Sequence, residues 1–104
     1  MAISNTQIGL TETTLLTATA ETAVLSLLFC NTTASSVTIT VYAYASGGSA
    51  GDSTTIIKNL EVAPYDTFIW SAQEKFILDT SGVVTALAGT ASAVTTTVNY
   101  KVLG

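Results

Sequence analysis

The residues able to do chemistry are few in this chain, and the partners that chemistry needs are missing. There is no histidine, and the only cations are Lys58, Lys75 and Lys101. Ser and Thr are abundant, yet a hydroxyl becomes a nucleophile only beside a base, most often histidine. A Cys–His pair fails for the same reason. Cys30, the single cysteine, ends the apolar run Ala23–Cys30, where a thiol behaves as a small inert hydrophobe. It can make no disulfide within the chain, so folding does not call for an oxidising compartment. The acids are Glu12, Glu21, Asp52, Glu61, Asp66, Glu74 and Asp79. A glycosidase would pair two of them across a sugar. They fall instead in expected loops, turns and strand ends, where solvated charge belongs. Zinc wants Cys and His, and no dense Asp/Asn run offers a calcium loop. Gly47, Gly48 and Gly51 lack the Lys-Ser/Thr and following helix of a phosphate loop. Asn31-Thr32-Thr33 has the N-glycosylation pattern, which matters only in a secreted chain. The N-terminal residues show no basic leader region. The expectation is a protein with no catalytic residues, no cofactor and no metal, and hence not an enzyme.

Binding classes narrow in the same way. Three scattered lysines against seven acids give a net charge of −4, whereas nucleic-acid binding needs a basic patch that releases counterions from phosphates. The run Ala23–Cys30 is too short to cross a bilayer and contains Ser26. Neither nucleic acid nor membrane is expected as a partner. Charged residues are only 10% of the chain, against about a quarter in ordinary soluble domains. A Thr/Ser/Ala surface with so little charge tends to associate.

Two groups of residues are candidate interfaces. Tyr42 and Tyr44 share one strand face, where they read first as sheet packing, then as a protein interface. A sugar-stacking platform with Tyr65 or Trp70 is the third reading. Ile3, Ile8 and Leu10 give the first ten residues a composition ill suited to a mobile tail. Residues 1–10 are therefore expected to form an extended N-terminal arm contacting another chain. The plain alternative is the first strand of the chain's own sandwich.

The elements that position these residues are strands. The 104 residues make one domain, 1–104. Val37–Ala45 alternates, with Val37, Ile39, Val41, Ala43 and Ala45 on one face and Thr38, Thr40, Tyr42 and Tyr44 on the other. Ala93–Leu103 alternates too, placing Val94, Thr96, Val98, Tyr100 and Val102 toward a core. Ala23–Cys30 is apolar on both faces, with Leu25, Leu27 and Phe29 expected one way and Val24, Leu28 and Cys30 the other. Such a strand is covered on both sides, centrally or by a neighbouring subunit. Turn residues Asn31–Ser36 suggest a hairpin between strands 23–30 and 37–45. Further strands are expected at Thr6–Leu10, Thr13–Ala18, Thr54–Leu60, Thr67–Ser71, Phe76–Leu78 and Val83–Ala88. Ser46–Ser53 is a flexible loop and Ala63–Asp66 a turn. No segment has helical periodicity. The fold class is all-β: a single antiparallel β-sandwich (jelly-roll/Ig-like) of about eight short strands.

One order of features points to a family. A Thr-rich lead-in, Thr13-Thr14-Leu15-Leu16-Thr17-Ala18, precedes the apolar strand ending in Phe29-Cys30-Asn31-Thr32. Then come Val37-Thr38-Ile39-Thr40-Val41, Ile56-Ile57-Lys58-Asn59-Leu60, a Pro turn, Phe76-Ile77-Leu78, and a closing strand from Val94 to Tyr100. This pattern resembles small β-sandwich virion proteins of tailed bacteriophages, including cyanophage-like ones. That family more often carries Ala-Gly-Asp before the penultimate strand, where this chain has Asp79-Thr80-Ser81-Gly82. The resemblance implies a structural virion protein assembled in the host cytoplasm. A capsid decoration (cement) protein is the leading role; neck, tail and head-fibre pieces are the others. It further implies other virion proteins as partners, the major capsid protein first, and a homo-oligomer, trimer or dimer. The reading from a different class is a carbohydrate-binding β-sandwich module.

Overall fold

Period-two alternation translates into eight strands. The computed structural model describes residues 2–90 and 92–103, with side chains at all of these but 2 and 71–76. The strands are β1 (Ala2–Ile8), β2 (Thr13–Thr17), β3 (Thr22–Asn31), β4 (Val37–Tyr44), β5 (Thr55–Val62), β6 (Thr67–Leu78), β7 (Val83–Ala88) and β8 (Val94–Val102). One turn of 3-10 helix, Asp52–Thr54, is the sole helical element among the described residues.

The strands form two four-stranded sheets, β1-β8-β3-β6 and β2-β7-β4-β5, antiparallel throughout. The pairing is nested. β4 pairs with β5, β3 with β6, β2 with β7 and β1 with β8. The chain is thus one long hairpin, and rolling it up adds the contacts β3–β8 and β4–β7. That winding is a jelly roll, which settles which of the two expected sandwich types is present.

Three local expectations are corrected. Strands 23–30 and 37–45 form no hairpin, because β3 and β4 lie in different sheets. Each has an apolar face needing cover, and each takes a central position. Residues 32–36 therefore cross between the sheets instead of reversing within one. Segments 67–71 and 76–78 are one continuous strand, β6. It lies at a sheet edge, free on one side, so residues 72–75 can bulge out of register opposite Leu25 while pairing with β3 holds at 67–71 and resumes at Phe76. Finally, a register shift between Val24 and Ser26 puts a bulge at Leu25. The bulge changes the phase, so Val24 joins Leu27 and Phe29 in the core while Leu25 is half-buried.

The core lies between the sheets. Ile8, Val24, Leu27, Phe29, Val94 and Val98 of one face meet Leu15, Ile39, Val41, Val84 and Ala86 of the other. Phe68, Trp70 and Tyr100 pack against it, and the rings of Phe29 and Phe68 stack at 6.4 Å. β8 faces inward with the residues its alternation predicts, except that Val102 is 49% exposed at the strand's end.

Candidate functional site

The two tyrosines stand on the outer face of the β2-β7-β4-β5 sheet. Alternation along β4 puts them there: Val41 is buried while Tyr42 and Tyr44 are half-exposed. Tyr42 is opposite Thr85 and Tyr44 opposite Val83 on β7. The Tyr44 hydroxyl donates to Glu12 Oε2 at 2.6 Å, and Thr85 Oγ1 donates to the same oxygen at 2.6 Å. Glu12 sits just before β2, so three elements converge on one carboxylate. Two hydroxyl donors, Thr85 first and Tyr44 second, hold the Glu12 carboxyl below its ordinary value of 4.5. The same bond, with some desolvation, holds the Tyr44 phenol above 10.0. At neutral pH the carboxylate is ionised and the phenol protonated. Such a pair is a poor general base, but it fixes the ring and presents one anion beside an aromatic face.

Tyr44 also lines an open cleft of about 340 Å³ at one end of the sandwich. Ala43, Ile56, Ile77, Leu78 and Asp79 are among the residues that line it with Tyr44. Strand ends set these together: the end of β4, the start of β5 and the end of β6 all finish there. The lining is apolar apart from Asp79, and Ile56 and Ile77 are both substantially exposed.

Comparison with protein-family models, curated proteins and solved structures finds no match for this chain.

The N-terminal residues do not stand off as an arm. They form β1, paired with β8 from Ala2↔Tyr100 to Ile8↔Val94. Ile8 is fully buried in the chain's own core and offers no side-chain surface to another chain. Ile3 and Leu10 are 62% and 60% exposed. Alternation accounts for the split, since Ile3, Asn5 and Gln7 face outward and Ile8 inward. The five interface candidates therefore do not form one patch. Ile3 belongs to the β1 edge, Leu10 to the loop after it, and Tyr42 and Tyr44 to the opposite sheet. Trp70 is turned toward the core and Tyr65 sits in the 63–66 turn, so the aromatic platform with Tyr42 and Tyr44 does not assemble. Cys30 is half-buried on the outer face of its sheet, where alternation with the buried Phe29 places it. Among the described residues no three of His, Cys, Asp and Glu come together as a metal site would need.

Sequence reasoning missed two polar sites. Glu12 reads as one solvated acid among seven, and only β2–β7–β4 adjacency reveals its donors. Asn31 reads as part of a glycosylation pattern, yet it is fully buried. Its Nδ2 donates to the carbonyls of Ser35 (2.7 Å), Val62 (3.1 Å) and Ala63 (3.2 Å). Its Oδ1 accepts from the Thr33 amide (2.9 Å) and Thr33 Oγ1 (2.8 Å). The signal was local: Asn with Thr two residues later is the pattern of a turn closed by its own side chain.

Proposed function

We propose that this chain is a structural virion protein, a decoration (cement) protein of the tailed-bacteriophage kind that binds and stabilises the head shell. The major capsid protein is its partner in this reading and the virion its location. The observation that carries the reading is the eight-strand jelly roll, an architecture viral capsid domains share with lectins and cupins. The cupin alternative loses its usual metal-binding imidazoles, because the chain has no histidine. Low charge and exposed Ile3, Leu10, Ile69 and Ile77 favour a surface that works by contact. The test is quantitative mass spectrometry with cryo-EM of particles carrying the chain. Copies in proportion to the shell protein mean decoration. A number set by a single vertex or by the tail moves the chain to neck, tail or fibre. Absence from particles overturns the reading.

Glu12 favours a second reading as a carbohydrate-binding module. A carboxylate fixed on Tyr44, with Tyr42 on the same strand face, is a combination that sugar hydroxyls and ring faces can use. Binding on a glycan array, abolished by Tyr42→Ala, would support it, and silence on the array removes it.

A further inference from the structure

We propose that β1 is a docking edge for a second copy of this chain: two β1 strands pair antiparallel about a two-fold axis at Asn5. The β1-β8-β3-β6 sheets of two copies then become one eight-stranded sheet. The inference stands apart from the particle reading and holds whether or not the chain decorates a shell.

A sandwich of two four-stranded sheets has four edges, here β1, β6, β2 and β5. Proteins normally blunt such edges with charges, bulges, Pro or shortness, because unpaired amides and carbonyls recruit other strands. Three of these edges are blunted. β5 carries Lys58 and Glu61, and its register against β4 is broken twice. Asn59 in β5 adopts a left-handed φ of 49° and is clamped by Thr40, whose Oγ1 accepts from its amide at 3.1 Å. β2 has five residues and a register shift between Thr14 and Leu16. β6 is long, but its sequence contains Glu74 and Lys75.

β1 has none of these devices. It is seven residues long, Ala-Ile-Ser-Asn-Thr-Gln-Ile, with no charge and no Pro or Gly. Its register with β8 runs unbroken from end to end. Regular pairing on one side leaves an equally regular row of backbone groups on the other.

The sequence of β1 also chooses the occupant. Run antiparallel against itself about Asn5, Asn5 of one copy meets Asn5 of the other. Ser4 meets Thr6, and Ile3 meets Gln7. Directly opposed residues share a face, so hydroxyls meet hydroxyls on the inner side and amide meets amide on the outer side. The exposed Ile3 gains cover from the Gln7 stem. An isologous pairing of this kind closes on itself and removes both free β1 edges at once.

Sedimentation velocity over a concentration series tests this on the purified chain and three variants. Ile3 and Gln7 are both exposed, so their substitution spares the core. The double variant I3K/Q7E places opposite charges face to face across the axis, and I3K/Q7K places like charges there. Wild type and I3K/Q7E are expected to dimerise, while I3K/Q7K weakens the dimer by about tenfold or more. Asn5→Lys, which puts like charges on the axis itself, gives the same loss should I3K/Q7K fail to fold. A wild type that is monomeric at every concentration overturns the proposal. So does a dimer indifferent to I3K/Q7K and Asn5→Lys. Equal weakening by I3K/Q7E and I3K/Q7K overturns the register and with it the two-fold axis.

Discussion

The two ends of the sandwich are built on opposite principles. At the end holding the β3–β4 and β5–β6 connections, polar groups are buried and satisfied. Asn31 ties residues 33 and 35 to residues 62 and 63. Backbone bonds from Asn31 to Asp66, from Tyr65 to Thr33 and from Thr32 to Ala93 stitch the neighbouring loops together. At the other end, apolar groups are exposed and uncovered. Ile56, Ile77, Val102 and Leu103 all show substantial surface, and Ile56 and Ile77 line the open cleft. Buried polar groups cost stability unless every one is paired, so a satisfied network fixes one geometry. Apolar surface costs little in geometry and gains whenever something covers it. The first end therefore holds the fold, and the second is the end free to change.

The largest expected effect strikes the first end. Asn31→Ala takes the Asn31 side chain from the Val62 carbonyl and the Thr33 amide, and leaves the Ala63 carbonyl only the Asp66 amide, costing about 3 kcal/mol in urea unfolding. A loss near zero would mean that the end is not locked by this side chain. At the open end, Leu78→Ala removes a core contact beside the cleft and should cost about 2 kcal/mol, at the low side for such truncations, because the wall can relax. Glu12 and Tyr44 reach toward each other from the two ends, and Glu12→Gln is expected to cost about 1 kcal/mol at pH 7. Because the folded carboxyl titrates below 4.5, its contribution is complete above that pH and disappears as pH falls through the folded value. Unfolding curves of Glu12→Gln should accordingly lose less stability on acidification than wild type. An identical pH profile would show the three-way contact to be without energetic weight. The smallest effect belongs to Ile56→Ser and Ile77→Ser, which should each shift stability by less than about 0.5 kcal/mol while improving solubility.

The sequence carried the strands better than their arrangement. β4 and β8 were legible because one sheet face is buried and the other is not, and that asymmetry is written residue by residue. Antiparallel partners leave no such mark. Asn31–Ser36 looks the same whether the chain reverses within a sheet or crosses to the other, so its composition predicts a hairpin where the chain crosses. The bulge at Leu25 was hidden because both phases of Ala23–Cys30 are apolar, and alternation cannot count an extra residue in a uniform run. Of the interface candidates, Ile8 reads as surface only if residues 1–10 are detached. Once β1 pairs with β8, its parity sends Ile8 inward and leaves Ile3 outside. Glu12 was illegible for a different reason: its donors lie 32 and 73 residues away.

The nested pairing sets a timetable. β4 and β5 are neighbours along the chain, but β1 cannot meet its mate until β8 has been synthesised. As the ribosome advances, the first strand made is the last to be paired, and it waits through the synthesis of every strand between. Long-range pairings of this kind are slow to close. During that interval β1 is a free strand on each nascent chain, and neighbouring chains on one message carry the same strand within reach.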